Sequence, residues 1–258
     1  MARPADLPRR VEEACLNGWP ALRQVWFDGW LLRFSEGHTR RSNSVTPLAP
    51  GSRDLPDKIA YCEALYAWAG LPLIFRVPTT AETSLDAALA ACGYAAEDET
   101  CVIYRDLDGT LPERGDVELS EGMPSEAWLD AHARFTGSAL SGRSVQRKIL
   151  EALAVPAVFA ATRAGDGRIA SLAFGAVHDR IVCLNLVATD PAVRRQGLSR
   201  RTVSAVLAWA REQAGAAVAC LPVVASNAPA VALYRTLGFE TELYRYHYRR
   251  RGEPRPHA

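Results

Sequence analysis

Val187-Ala-Thr-Asp-Pro-Ala-Val-Arg194-Arg195-Gln196-Gly197-Leu198-Ser199 is the stretch on which the fold turns. An apolar run ends, a short loop carries two arginines and a glycine, and a segment with helical spacing begins. Leu198, Thr202, Val203, Val206, Trp209, Ala210 and Gln213 recur at helical period, while Arg200, Arg201, Arg211 and Glu212 fall mostly off that stripe. A strand, loop and helix in this order aim unpaired backbone N–H groups and the positive end of a helix at one point. Gly197 has no side chain, so an anion can approach the main chain closely. Such a corner suits a pyrophosphate and predicts a phosphate-bearing cofactor. An ordinary strand-to-helix turn with solvated arginines has the same pattern, and short glycine motifs recur by chance.

A second motif decides between the two. Val223-Val-Ala-Ser-Asn227-Ala-Pro229-Ala230-Val-Ala-Leu233-Tyr234-Arg-Thr-Leu237-Gly238-Phe239 follows another apolar run, 217–224. Asn227 suits a helix N-cap and Pro229 a first helical turn. Ala230, Leu233, Tyr234 and Leu237 share a face, and Gly238 suits the residue that ends a helix. Asn227 and Tyr234 are two helical turns apart, roughly 10 Å along the axis.

These residues carry a family resemblance. Arg194-x-x-Gly197-x-Ser199 resembles the acyl-CoA pyrophosphate loop of the GNAT acetyltransferase superfamily, Arg/Gln-x-x-Gly-x-Gly/Ala, and departs from it at Ser199. Asn227 to Phe239 is similar to the motif that follows, Asn-x-x-Ala-x-x-Leu-Tyr-x-x-Leu-Gly-Phe, at every named position. The resemblance implies an α/β fold of the α+β type, with a mixed, mostly antiparallel sheet flanked by helices. It implies acetyl-CoA as co-substrate and no metal. Val187 and Ala188 would pair with the pantetheine arm. The amides around Gln196, Gly197, Leu198 and Ser199 would hold the pyrophosphate, with Arg194 and Arg195 beside them. Asn227 would contact pantetheine, and Tyr234 would protonate the departing thiolate. A phenol is protonated at neutral pH, and a positioned general acid commonly contributes about 10²–10⁴-fold. Tyr234 also reads as a core aromatic. The attacking amine needs a base, for which Asn185 (through water), His178, Asp179 and Glu151 compete, each with a structural reading as well. His132 reads as structural, and His178-Asp179 as a turn between strands.

The chain divides near residue 110, where Leu107 to Asp116 is polar and rich in turn formers. The expected domains are 1–110 and 111–258. The second half reads as a strand near 117, helices at 126–135 and 145–153, strands at 157–162, 169–177 and 181–188, the loop and its helix, a strand at 217–224, the Tyr234 helix and a strand at 240–248. In the first half, Asp28-Gly29 between apolar runs predicts a hairpin. Helices are expected at 56–69 and 83–92, and strands at 73–77 and 94–105. Leu85-Asp-Ala-Ala-Leu89-Ala-Ala-Cys-Gly93-Tyr94 echoes Ala232-Leu-Tyr-Arg-Thr-Leu237-Gly238-Phe239 as a weak internal repeat. The first half lacks the glycine loop, and Asp86 or Leu89 cannot replace a tyrosine acid. The chain therefore resembles a tandem GNAT protein with a degenerate N-terminal half and one acyl-CoA site. Bacterial relatives of this type carry Asp-Gly-Trp-Leu-Leu-Arg-Phe and Thr-Arg-Arg-x-Asn-Ser-Val, here Asp28–Phe34 and Thr39–Val45. Asn185, Arg40, Arg41 and Asn43 are candidate substrate residues, the last three in a cleft between the halves; loop charge and an asparagine turn are the alternative reading of those three.

The 258 residues are 48% hydrophobic and 23% charged, a globular composition, and the net charge of +1 gives no electrostatic case for nucleic acid or membrane partners. Arg249-Arg250-Arg251 reads as a solvated basic end. The six cysteines show no C-x-x-C spacing and no His/Cys cluster of zinc type, and most sit in apolar runs as small buried hydrophobes. No signal-peptide or membrane-length apolar run is present, so a reducing cytoplasm is expected. The leading expectation is acetyl transfer to a primary amine of a small or amino-acid-like acceptor. A larger acyl group, a protein N-terminus as acceptor, or a non-catalytic acyl-CoA sensor are the alternatives. The oligomeric state is not readable from the sequence.

Overall fold

A computed structural model describes residues 5–111, 113, 115–138 and 140–252. In chain order the elements are α1 (Leu7–Asn17), β1 (Arg23–Phe27), β2 (Trp30–Phe34), β3 (Val45–Pro47), α2 (Leu55–Trp68), β4 (Ile74–Pro78), α3 (Thr83–Ala91) and β5 (Ala95–Asp106). There follow β6 (Glu118–Glu121), α4 (Glu126–Thr136), α5 (Leu140–Glu151), β7 (Ala157–Arg163), β8 (Ile169–His178) and β9 (Ile181–Thr189). The chain closes with α6 (Leu198–Glu212), β10 (Val218–Val224), α7 (Ala228–Thr236) and β11 (Thr241–Arg250). Pairing is mixed and mostly antiparallel, as expected for an α+β fold. No helix of the described residues is long and apolar enough to cross a membrane.

Two compact units emerge, and their ends are exchanged relative to a cut at residue 110. The first unit comprises Ala21–Cys101, Val224–Ser226 and the chain from Tyr244 onward. The second takes the chain up to Pro20, Val102–Val223 and Asn227–Leu243. The last strand thus completes the first unit, and α1 belongs to the second.

In the first unit, β1, β2, β3, β4 and β11 lie in that order. Asp28 and Gly29, both at positive φ, close the β1–β2 hairpin. The Asp28 carboxylate accepts the N–H groups of Ser52 (2.8 Å) and Arg53 (3.0 Å), which hold its pKa far below the usual carboxylate range. Lys58 Nζ donates to the Asp28 carbonyl at 2.6 Å and lies 4.3 Å from the Trp30 ring centroid. One sheet face buries Trp30, Leu32, Phe34, Val45, Phe75 and Val77 against Ile59, Cys62 and Tyr66 of α2 and Leu85 and Leu89 of α3. These alternate positions on successive strands form an apolar core because strand side chains point to opposite faces in turn.

The basic end departs from its expectation as a solvated tail. Arg249 and Arg250 are strand residues of β11. Arg249 donates from Nε and Nη2 to the Asp86 carboxylate (2.6 and 2.7 Å) and from Nη1 to the Tyr94 carbonyl. Arg251 reaches the Glu63 carboxylate at 2.8 Å. Period-two alternation through Tyr244, Tyr246 and Tyr248 carries the strand past the point where charge density suggested an end.

The internal echo is reproduced in hydrogen bonds. After α3, Gly93 N donates to Ala90 O and Tyr94 N to Leu89 O; after α7, Gly238 N donates to Arg235 O and Phe239 N to Tyr234 O. Each helix therefore ends in the same cap and releases an aromatic residue toward a strand.

In the second unit, β6, β7, β8 and β9 form an antiparallel run, and β10 adds to β9 in parallel. Helix α6 packs closely on β8 because Gly175 leaves room: a methyl group there would come 2.5 Å from Val206 Cγ1 and 2.9 Å from Val182 Cγ2. A buried hydroxyl pair, Thr162 Oγ1 and Thr202 Oγ1 at 2.7 Å, ties α6 to β7. On the core, Trp128 packs edge-on to Phe159, and Phe159 stacks on Phe174. Helix α1, which the sequence reading had not identified, buries Leu7, Val11, Ala14 and Cys15 at helical spacing.

Two outcomes follow from this packing. Gly175→Ala overpacks the α6–β8 contact and should cost about 1–3 kcal/mol in urea unfolding; an unchanged midpoint would contradict the close approach. Asp86 has its pKa lowered to about 2, chiefly by hydrogen bonds from Arg249. Because the folded pKa lies below the unfolded one, its contribution is complete above about pH 4 and is lost as pH falls through about 2. Asp86→Asn should therefore lower stability at neutral pH, with the difference from wild type vanishing near pH 2. A difference that persists there would break the assignment.

Candidate active site

The parallel ladder between β9 and β10 is short. It runs from Val218↔Ile181 through Ala219↔Val182 to Cys220↔Cys183, whereas β9 continues to Thr189 and β10 to Val224. Beyond that rung β9 also changes register against β8: Phe174 faces Asn185, but Leu172 faces Ala188, so β9 holds one extra residue. The bulge centres on Leu186, at φ 49°. A non-glycine residue there costs of order 1–2 kcal/mol, so the surrounding structure imposes it. Val187 and Ala188 lie beyond the bulge and are half-buried, with backbone released from β10.

Where β9 ends, a cap starts the loop. The Asp190 carboxylate accepts from Ala192 N at 3.0 Å and closes the 3-10 turn Pro191–Val193. Arg194 is extended, Arg195 is left-handed at φ 68°, and Gly197 is left-handed at φ 73° directly before α6. Gly197, the N-cap of α6, offers no side-chain cap, and the first N–H groups of a helix have no intrahelical partner and lie at its positive end. A Cβ built on Gly197 would meet nothing within 4 Å, which is the room an anion needs beside the main chain. Arg194, Arg195 and Gln196 are exposed around it, and Leu198 is buried as the helix anchor. A cavity of about 410 Å³ adjoins the loop, lined by Glu113, Gly115, Gln196, Gly197, Arg200 and Arg201.

Ser199, where the loop departs from the motif, makes a side-chain contact. Its hydroxyl is hydrogen-bonded to Thr189 Oγ1, which donates to Ser171 Oγ at 3.0 Å, and Ser171 Oγ donates to the Ala188 carbonyl at 3.2 Å. The first turn of α6 is thereby fastened to the end of β9. Alanine or glycine at 199 would lack this tie.

Asn227 is the N-cap of α7: its Oδ1 accepts from Ala230 N at 3.2 Å, and the residue is otherwise exposed. Tyr234 is the buried residue of α7, 8% exposed, with its ring edge-on to Phe239. Burial pushes its phenol pKa well above the usual value, so the proton stays on.

The remaining candidates are placed as follows. Asn185 is buried, and its Nδ2 donates to Cys183 O (3.1 Å) and toward Gly18 O (3.4 Å), linking β9 to the end of α1. Asp179 and Arg180 form the β8–β9 turn, and Asp179 accepts from Arg10 Nε at 2.7 Å. Glu151 is exposed and pairs with Arg147. His132 is buried and stacked on Trp128. In the first unit, Arg40 pairs with Glu97 and Asp98 and lies 4.5 Å from the Tyr248 ring centroid. The Arg41 carbonyl accepts from Arg33 Nη1. Asn43 accepts from Ser35 N and Gly37 N and donates to His38 O and Thr39 O, spending both ends of its amide on the loop 35–43. One cluster was not legible in the sequence: Cys15, Cys183 and Cys220, 168 and 205 residues apart from the first, meet in the second unit, all three sulfurs within 4.8 Å of one another.

Comparison with known proteins places this geometry in a family. The family model described as "Probable histone acetyltransferase Rv0428c C-terminal" matches residues 6–250. A Bacillus subtilis (strain 168) protein described as "Uncharacterized N-acetyltransferase YobR" is 27% identical over 247 residues, covering 93% of this chain and 97% of that protein. A GCN5-related N-acetyltransferase from Kribbella flavida is similar in structure with a TM-score of 0.71 at 20% identity, over 97% of this chain and 98% of that one. A tandem GNAT protein from the clavulanic acid biosynthesis pathway aligns over 82% of this chain and 76% of that one, with a TM-score of 0.60 at 14% identity. At such identities the two structures attest the fold. With the family model spanning nearly the whole chain, the protein belongs to the Rv0428c C-terminal acetyltransferase family of the GNAT superfamily.

Proposed function

We propose that the protein transfers an acetyl group from acetyl-CoA to a primary amine of a small or amino-acid-like acceptor by direct attack, at one site in the second unit. The observation that carries this reading is the parting of β9 from β10, with an open, left-handed glycine loop at the end of the same strand. In this reading the main chain along Val187 and Ala188, past the last rung to β10, pairs with the amides of a pantetheine arm, although the Ala188 carbonyl also accepts from Ser171 Oγ. The N–H groups of Gln196, Gly197, Leu198 and Ser199 suit a pyrophosphate, with Arg194 and Arg195 adding positive charge. The cavity beside Gly197 has room for further parts of a nucleotide tail.

The chemistry needs a neutral amine nitrogen to attack the thioester carbonyl and a proton for the sulfur that leaves. Tyr234 is the proposed donor, since burial keeps its phenol loaded far beyond neutral pH. Asn227 turns its Oδ1 to the helix cap, which leaves its Nδ2 for the pantetheine. The first unit, built around the Asp28–Phe34 and Thr39–Val45 segments, has no counterpart of the Gly197 loop in its sequence. In this reading it is a degenerate second copy of the fold.

Three outcomes test the reading. Tyr234→Phe should lower kcat about 100-fold or more while leaving CoA affinity by calorimetry nearly unchanged; full turnover at saturating substrate across pH would remove the acid role. Gly197→Ala places a Cβ on a left-handed residue facing the open corner and should weaken acetyl-CoA binding roughly tenfold. Unaltered affinity in that variant would move the pyrophosphate elsewhere. If wild type binds acetyl-CoA yet releases no thiol across a broad amine panel, the chain is a sensor rather than a catalyst.

A further inference from the structure

Three thiols from three separate elements converge in the second unit. Cys183 and Cys220 face each other on the last rung of the β9–β10 ladder, and Cys15 comes down from α1 above them. The Cys15 and Cys183 sulfurs are 3.4 Å apart, and those of Cys15 and Cys220 are 3.9 Å apart. All three residues are buried, with Cys183 and Cys220 at zero exposure. The arrangement offers three soft donors pointing at one another from rigid elements, which is what selects thiophilic ions over hard ones.

Charge decides which soft ion suits it. Three thiolates around a divalent ion would leave a net negative charge in this dry setting, which is costly. Three thiolates around a trivalent ion leave none.

We propose that Cys15, Cys183 and Cys220 form a three-sulfur site for a soft trivalent metalloid of the arsenite class. Arsenous acid brings three hydroxyl groups. Three As–O bonds break and three As–S bonds form, each thiol proton leaving with a hydroxyl as water. Arsenic stays trivalent, no electrons move, and neutral reactants give neutral products. The bound ion would pin α1 to the root of the parting strands. This inference stands on the thiol geometry and is independent of the acetyl-transfer reading.

The test is titration of the reduced full-length chain with arsenite, read by native mass spectrometry. One arsenic per chain should add, with loss of three protons. The adduct should disappear in Cys15→Ser and Cys183→Ser and persist in Cys92→Ala, an exposed cysteine outside the cluster. X-ray absorption of the wild-type complex, which needs no core variant to fold, should count three As–S bonds and no As–O bond. Failure to form the adduct, its survival in Cys15→Ser, a count of two sulfurs, or preferential uptake of cadmium(II) over arsenite would each overturn the proposal.

Discussion

The structure depends on β9 being held to β10 at one end and freed from it at the other. Three parallel rungs fix the strands as far as Cys220↔Cys183. Past that point the bulge at Leu186 turns β9 away, and its main chain keeps hydrogen-bonding capacity that a continuous sheet would have consumed. Left-handed backbone at Leu186 is unfavourable by itself, so neighbouring contacts must impose it. Asn185 supplies one such contact, joining β9 to the end of α1. The hydroxyl chain from Ser199 through Thr189 and Ser171 supplies another, fastening the start of α6 beyond the bulge. Gly175 lets α6 lie close on β8, which aims its N-terminus at the end of β9. A strained strand and a helix end thus meet at one corner because packing on both sides holds them there.

Much of this was legible in the sequence, because the features involved are local. Helical spacing after Gly197 and Asn227, the Asp28-Gly29 hairpin and the alternating strands of the second half all depend on residues near one another in the chain. Positive φ at Gly197 and the Asn227 cap matched the residue types. What sequence could not supply was long-range. Nothing in Arg249 announces Asp86, 163 residues away, so a strand with paired arginines read as a solvated tail. Nothing local links Cys15 to Cys183 and Cys220. Helix α1 does carry a local signal, with Leu7, Val11, Ala14 and Cys15 at helical spacing. Asn43, read both as a candidate substrate residue and as an asparagine turn, spends its amide on the loop around it, as the turn reading expects.

The two units hold different features. The second carries the loop, the bulge and Tyr234. The first repeats the helix, glycine and aromatic cap at Gly93-Tyr94 with the same hydrogen bonds found at Gly238-Phe239. It spends its arginines on carboxylates and aromatic rings within itself, as Arg40 and Arg249 do.

The most direct test of the account is a crystal structure of the protein with acetyl-CoA. The account predicts the diphosphate against the main-chain N–H groups of residues 196–199, and the pantetheine arm alongside Val187 and Ala188. A complex with the diphosphate seated elsewhere and the Gly197 corner filled only by solvent would contradict it.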